Sequence, residues 1–322
     1  MKRTRSKLVG FSLAGLAVAT ICFGSDLASA ALLAGNLGGR VVSIESLTCQ
    51  QELLAGSLGD PIGLALESPG IVLVADANWP DGQGSVSRLN LATRSMTILS
   101  AGGQFLDPLG VAVATDGTIY VLDGSGRKVF RIDSVTGAQT PISVGGMLRN
   151  PESMQMLPDG ELLVVDADAY GGPGGLIRIN PQSGIQTPVS GGGLFVDPIA
   201  AYLEPNGSFL VTDLNAPNDY GSVIRVAQDG GQSIVATGSA SLLQDPEGIA
   251  RDTDGQVYVI GQNAQNYGGG GLLLRLDPVT GALTVVCSGG MLGFAPTLLS
   301  VPELPTPSHV TTWGQVKDRY RK

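Results

Sequence analysis

Histidine is almost missing from this chain: one residue in 322, His309, near the C-terminus. Chemistry that needs imidazole as acid, base or metal ligand has no residue to run on and is excluded. Cysteine is nearly as scarce, and only Cys49 and Cys287 lie beyond the first thirty residues. Cationic side chains are few, 19 against 28 acidic ones, a formal charge of −9. The first thirty residues hold four of those cations and one of the acids, so the rest is more acidic still. Such a surface repels nucleic acid and anionic membranes and favours cations, although solubility after export explains it equally well. Aromatics make up 5% of the chain. The single long apolar run, Leu8 to Phe23, is short for a membrane helix and is broken by polar and glycine residues.

That run has the order of a targeting segment. Lys2, Arg3, Arg5 and Lys7 precede it, and Ala28-Ser29-Ala30 after it fits a small-residue cleavage site. Residues 1–30 are therefore expected to be removed, leaving a secreted or periplasmic protein with no stable membrane insertion. Ile21 before Cys22 argues against a lipoprotein, and the absence of a twin arginine points to general export.

Glycine, by contrast, is abundant at 47 residues, and its placement is periodic. A proline follows an acidic or amide residue at Asp60-Pro61, Asp107-Pro108, Asn150-Pro151, Asp197-Pro198 and Asp245-Pro246, at spacings of 47, 43, 47 and 48 residues. A degenerate copy begins at Ala295-Pro296. Within each interval, four apolar or alternating runs are separated by Asp/Asn-Gly and by Thr-Gly, Ser-Gly or Gly-Gly turns, which reads as four antiparallel strands, a to d. A period in the forties with four strands per unit predicts an all-β propeller. Residues 31–59 align with strands b, c and d only, and residues 295–301 with strand a only. Joined, they complete a sixth blade and remove the exposed edges. The expected architecture is a six-bladed β-propeller over residues 31–301, its last blade closed by N-terminal strands b–d and C-terminal strand a. Residues 302–322 form a proline-containing linker and a basic tail with Trp313, Val316 and Tyr320 at helical spacing. The tail is open to three readings: a frayed end, a short helix docked on the acidic propeller, or a recognition tag.

By alignment Cys49 lies near the start of a strand d and Cys287 at the end of another. Those positions are expected to fall on opposite faces, leaving two separate buried thiols.

The b–c and d–a loops share one face of a propeller, around the mouth of its channel. Strand b ends in Asp76, Asp123, Asp166 and Asp213, and Arg88, Arg131, Arg178, Arg225 and Arg275 recur in strand c. The recurrence suggests a structural Asp–Arg bridge in each blade. The b–c loops carry Asn78 and Trp79, Tyr170, Asn215 and Tyr220, and Asn263 and Tyr267. Aromatics among amides suit an extracellular glycan, peptide or small molecule. Glu152 and Glu247 stand where other copies hold Ile62, Leu109, Ile199 and Thr297, placing two carboxylates beside the channel. There they could hold a cation or act as a base.

The pattern Asp245-Pro246-Glu247-Gly248-Ile249-Ala250, Asp254-Gly255-Gln256-Val257-Tyr258-Val259 and Arg275-Leu276-Asp277-Pro278-Val279-Thr280-Gly281 resembles NHL-type repeats. It is also similar to the gluconolactonase and streptogramin-lyase propellers. The lactonase resemblance implies one Ca²⁺ at the channel, held by Glu152 or Glu247 with Asp166 or Asp213 and Asn215 or Asn263. The lyases depend on histidine, which this chain lacks where it would be needed. Two readings follow: a non-catalytic binding module with its ligand on the b–c/d–a loop face, and a Ca²⁺-dependent lactonase-type hydrolase using channel carboxylates.

Overall fold

In the computed structural model, residues 31–239, 242–262, 270–292 and 297–301 are described. The expected signal segment, the C-terminal tail, the Ala295-Pro296 pair, Asn263 and Tyr267 lie outside them. The described residues form six four-stranded antiparallel sheets. Five are continuous in sequence, over residues 61–101, 108–144, 151–191, 198–237 and 249–288. The sixth joins Ala31–Asn36, Arg40–Glu45 and Gln51–Ala55 to Thr297–Val301, with Ala31 opposite Val301 and Gly35 opposite Thr297. No helix among the described residues is long and apolar enough to cross a membrane.

Strands b are the most apolar and are buried along their length, as in Ile119–Asp123 and Leu162–Asp166. Their side chains pack between neighbouring blades, which is why every blade needs its neighbours. The cluster around Leu73, Val86, Phe105, Val121 and Phe130 joins blades one and two, with Phe105 and Phe130 edge to face at 5.5 Å. At the a–b turns only the glycine takes positive φ, +84° at Gly117 and Gly160. The aspartate before it instead accepts a backbone N–H, as Asp116 does from Thr118 at 2.9 Å.

Blades two, three, four and six are each clasped to the one before by a glutamine. Gln139, which opens strand d of blade two, donates to Ser100 Oγ and to the Gly102 carbonyl, and accepts the Gln104 N–H. Gln186 and Gln232 repeat the arrangement one and two blades on. Gln51 does so across the closing seam, bonding Gly289 O and Met291 N. Beside each glutamine a strand-d serine donates to a c–d turn glycine: Ser100 to Gly137, Ser143 to Gly184 and Ser190 to Gly230.

At the seam the serine position is Cys287 and the turn position is Cys49, whose φ is +63° like the glycines it replaces. The two cysteines form a disulfide with Cα atoms 5.3 Å apart. The expectation of two separate thiols is thus wrong. Opposite ends of strand d do not translate into opposite faces of the ring. Accumulated sheet twist turns the outermost strand sideways, and its end meets the next blade's c–d turn.

Candidate functional site: the central channel and its acidic mouth

Strand a lines the channel, and its first residues decide what the channel sees. In blades one to four the a–b ladder slips by one residue just after the proline: between Pro61 and Gly63, Pro108 and Gly110, Pro151 and Ser153, and Pro198 and Ala200. The bulged residues are Ile62, Leu109, Glu152 and Ile199. A bulge re-aims a side chain, and all four line the central cavity together with Glu247 and Thr297 of blades five and six. The residue that follows each of these wall positions in blades one to five is small for a reason. A Cβ on Gly63 would lie 2.6 Å from the Leu109 carbonyl oxygen, and one on Gly248 would lie 2.8 Å from the Leu298 nitrogen. Ser153 uses the same close approach to donate to the Ile199 carbonyl at 2.7 Å.

The cavity measures about 650 Å³ and runs from the rim, at Leu37, Asn150 and Asp197, to Tyr202 and Arg251. Glu152 and Glu247 are two blades apart on its wall, with Ile199 between them. Glu247 is 1% exposed. Glu152 has its carboxyl pushed up to about 7, first by burial and then by the charges of Asp197, Asp166, Asp107 and Asp168.

The strand-b aspartates turn out to do something other than bridge arginine. Asp213 accepts backbone N–H groups from Val196, Asp197, Asn215 and Ala216 at 2.8–3.1 Å. Asp76, Asp123 and Asp166 do the same for their own d–a and b–c loops. Each lies opposite the proline of its own repeat, as Asp213 does opposite Pro198, so the Asp-Pro pair and the strand-b aspartate make one joint. These carboxylates are buried, and charge-assisted bonds hold the loops on them. The arginines pair elsewhere: Arg88 with Glu67, Arg178 with Asp159 and Glu161, and Arg225 with Glu204. The expected Asp–Arg bridge is therefore corrected.

The loop amides close a second layer. Asn78 donates to Asp60, and Asn215 to Asp197 at 3.0 Å; Ser125 takes the same place on Asp107. In blade three the residue types are exchanged, Asn150 on the d–a loop and Asp168 on the b–c loop. Burial pushes Asp107, Asp197 and Asp245 upward, and neighbouring carboxylates add to this for the first two. The mouth is thus a ring of crowded carboxyl groups.

Of the loop aromatics, Trp79 and Tyr220 are half-buried. Tyr170 sits at φ +60° with its ring against Gly175 and Gly191, and its hydroxyl donates to the Leu176 carbonyl at 2.6 Å. Among the described residues no three His, Cys, Asp or Glu side chains converge as a metal-binding group. Asp166 and Asp213 are held on backbone N–H groups, and Asn215 is held on Asp197. Reading along the chain missed the glutamine clasp and the bulge. The signals for both are present, a glutamine opening strand d and a small residue two places after each proline.

Six closed four-stranded blades around a channel define the chain as a six-bladed β-propeller. It is similar to a chain in the crystal structure of a nidogen/laminin complex, with a TM-score of 0.67 at 14% identity over 85% of this chain and 99% of that one. It is also similar to TolB from Acinetobacter baumannii, with a TM-score of 0.63 at 13% identity over 85% of this chain and 66% of that one. At these identities the likeness establishes the architecture alone, so the resemblance drawn from the repeat holds at the level of the β-propeller. No protein-family model and no curated protein matches the chain.

Proposed function

We propose that the protein is an exported, non-catalytic interaction module that takes its ligand, a glycan or peptide segment, into the channel mouth on the b–c/d–a loop face. The observation that carries the reading is the 650 Å³ cavity, of a size that encloses a side chain or a sugar unit. Its wall is built from bulged residues that the sheets themselves do not need. Filling the channel with Ile199→Trp tests this: retention on the glycan or peptide array ligand should disappear while the melting temperature holds. Retention that survives a filled channel sinks the reading. Alanine at Trp79, Tyr220 and Tyr267 separately tests the rim, and N-terminal sequencing that begins at Ala31 tests removal of residues 1–30.

A Ca²⁺-dependent lactonase is the second reading, favoured by Glu152, whose proton affinity near neutrality suits a general base. Lactone turnover abolished by chelator and by Glu152→Gln would displace the binding-module reading.

A further inference from the structure

We infer that the channel selects ligands bearing a single organic cation on an apolar stem, an amine or guanidinium seated against Glu152. The inference deepens the binding-module reading and rests on it. Three observations combine. The cavity wall beside Glu152 is hydrocarbon: Leu109 and Ile199 flank it in the neighbouring blades, and Ile62 lies beyond Leu109. The hydrocarbon on both sides of Glu152 supplies none of the six to eight oxygen ligands that Ca²⁺ takes, and Glu152 and Glu247 are separated by Ile199. One carboxylate above an apolar wall instead matches an ammonium or guanidinium whose stem is desolvated along with it.

The second observation is the company Glu152 keeps. The charges acting on it are Asp197 across the blade boundary, Asp166 and Asp168 of its own blade, and Asp107 of the preceding one, all acidic. Of the cations nearby, Arg149 on the rim is exposed, and Arg251 at the far end donates to the Gly255 carbonyl. Among the described residues no cationic side chain is placed to neutralise Glu152, so a cation from outside relieves its burial and crowding together. Third, the rim carboxylates Asp60 and Asp197 are tied to Asn78 and Asn215, and Asp107 to Ser125. They contribute a fixed negative field that draws a cation inward, while Glu152, deeper in, receives it.

The test is calorimetric titration of the mature protein with 3-phenylpropylamine and its neutral isostere 3-phenylpropan-1-ol, on wild type and Glu152→Gln. The amine should bind roughly 10- to 100-fold more tightly than the alcohol, the span expected of one charge-assisted contact. Glu152→Gln, with a melting temperature no lower than that of the wild type, should erase the difference. The amine's advantage should also shrink from pH 8 to pH 6, because Glu152 takes up a proton near 7 while the amine stays charged. A blocked pentapeptide with a central lysine, set against its norleucine counterpart, separates a polypeptide source from a free amine. Equal binding of amine and alcohol, or an advantage that persists in Glu152→Gln, overturns the inference, as does no binding by any probe. The Ile199→Trp array experiment is read independently, so the charge preference can fail while the channel site stands.

Discussion

Replacing Cys49 by serine removes the one covalent link across the seam and releases a span of 238 residues from constraint in the unfolded chain. The chain-entropy relation for a closed loop of that length gives about 5.5 kcal/mol at 25 °C. The link acts in parallel with the Gln51 clasp and with the pairing of Ala31–Asn36 against Thr297–Val301. Both of these survive the substitution, so the native contacts lose little and the effect falls on the unfolded state. With a urea m-value of about 3 kcal/mol/M, the unfolding midpoint should drop by about 1.5–2 M. A second variant separates the bond from its backbone: Cys49 has φ +63°, and glycine occupies that position in other blades. Cys49→Gly should therefore recover about 1 kcal/mol relative to Cys49→Ser, the cost of a left-handed non-glycine residue. Equilibrium denaturation of the oxidised wild type and both variants, followed by tryptophan fluorescence, reads all three midpoints. Coincident midpoints for wild type and Cys49→Ser would refute the reasoning, because the non-covalent clasp alone would then close the ring.

The pH dependence of stability should carry the mark of Glu152. Its folded value is raised to about 7 from 4.5, so the folded protein holds this proton more tightly than the unfolded chain. Stability from this group is full below the unfolded value, declines as pH rises through 4.5 to 7, and then levels off. The decline amounts to about 3 kcal/mol; Glu152→Gln should flatten that limb and raise the melting temperature at pH 8. Asp213→Ala strands four backbone N–H groups of two loops. It should cost about 4 kcal/mol in denaturant titration, and a loss below 1 kcal/mol would show that water replaces the carboxylate easily. Tyr170→Phe should lose about 1 kcal/mol through its bond to Leu176 without weakening ligand retention.

The blades were legible because a propeller repeats its turn chemistry. Gly117, Gly160, Gly207 and Gly255 sit at the a–b turns with positive φ, and an Asp-Pro or Asn-Pro pair marks the entry into strand a in blades one to four. The split last blade was legible too, since residues 31–55 and 297–301 are complementary fragments of one repeat unit. The site was legible only in part. Glu152 and Glu247 stood out as charges at apolar positions, and both reach the cavity. The partners of the strand-b aspartates were hidden, because a backbone N–H has no letter in a sequence. Recurring arginines offered a visible but incorrect partner. The clasp of Gln139 on Ser100 and Gly102 joins residues 37–39 apart in different blades, so the recurring glutamine shows in the sequence but its partners do not. The cysteines were misplaced for a geometric reason: an alignment carries strand order but not the twist that swings an outer strand toward its neighbour.

The seam also sets an order of events. Ala31–Asn36 is made first among the propeller's strands, yet its inner partner Thr297–Val301 is made last. Throughout synthesis, the earliest strand keeps an open hydrogen-bonding edge beside the forming channel. Five blades can stack as they emerge, but the channel gains its final wall, and Thr297 joins the ring of lining residues, only when the far end of the chain arrives. Any interruption before residue 297 thus yields an open arc with a free strand edge, and never a smaller ring.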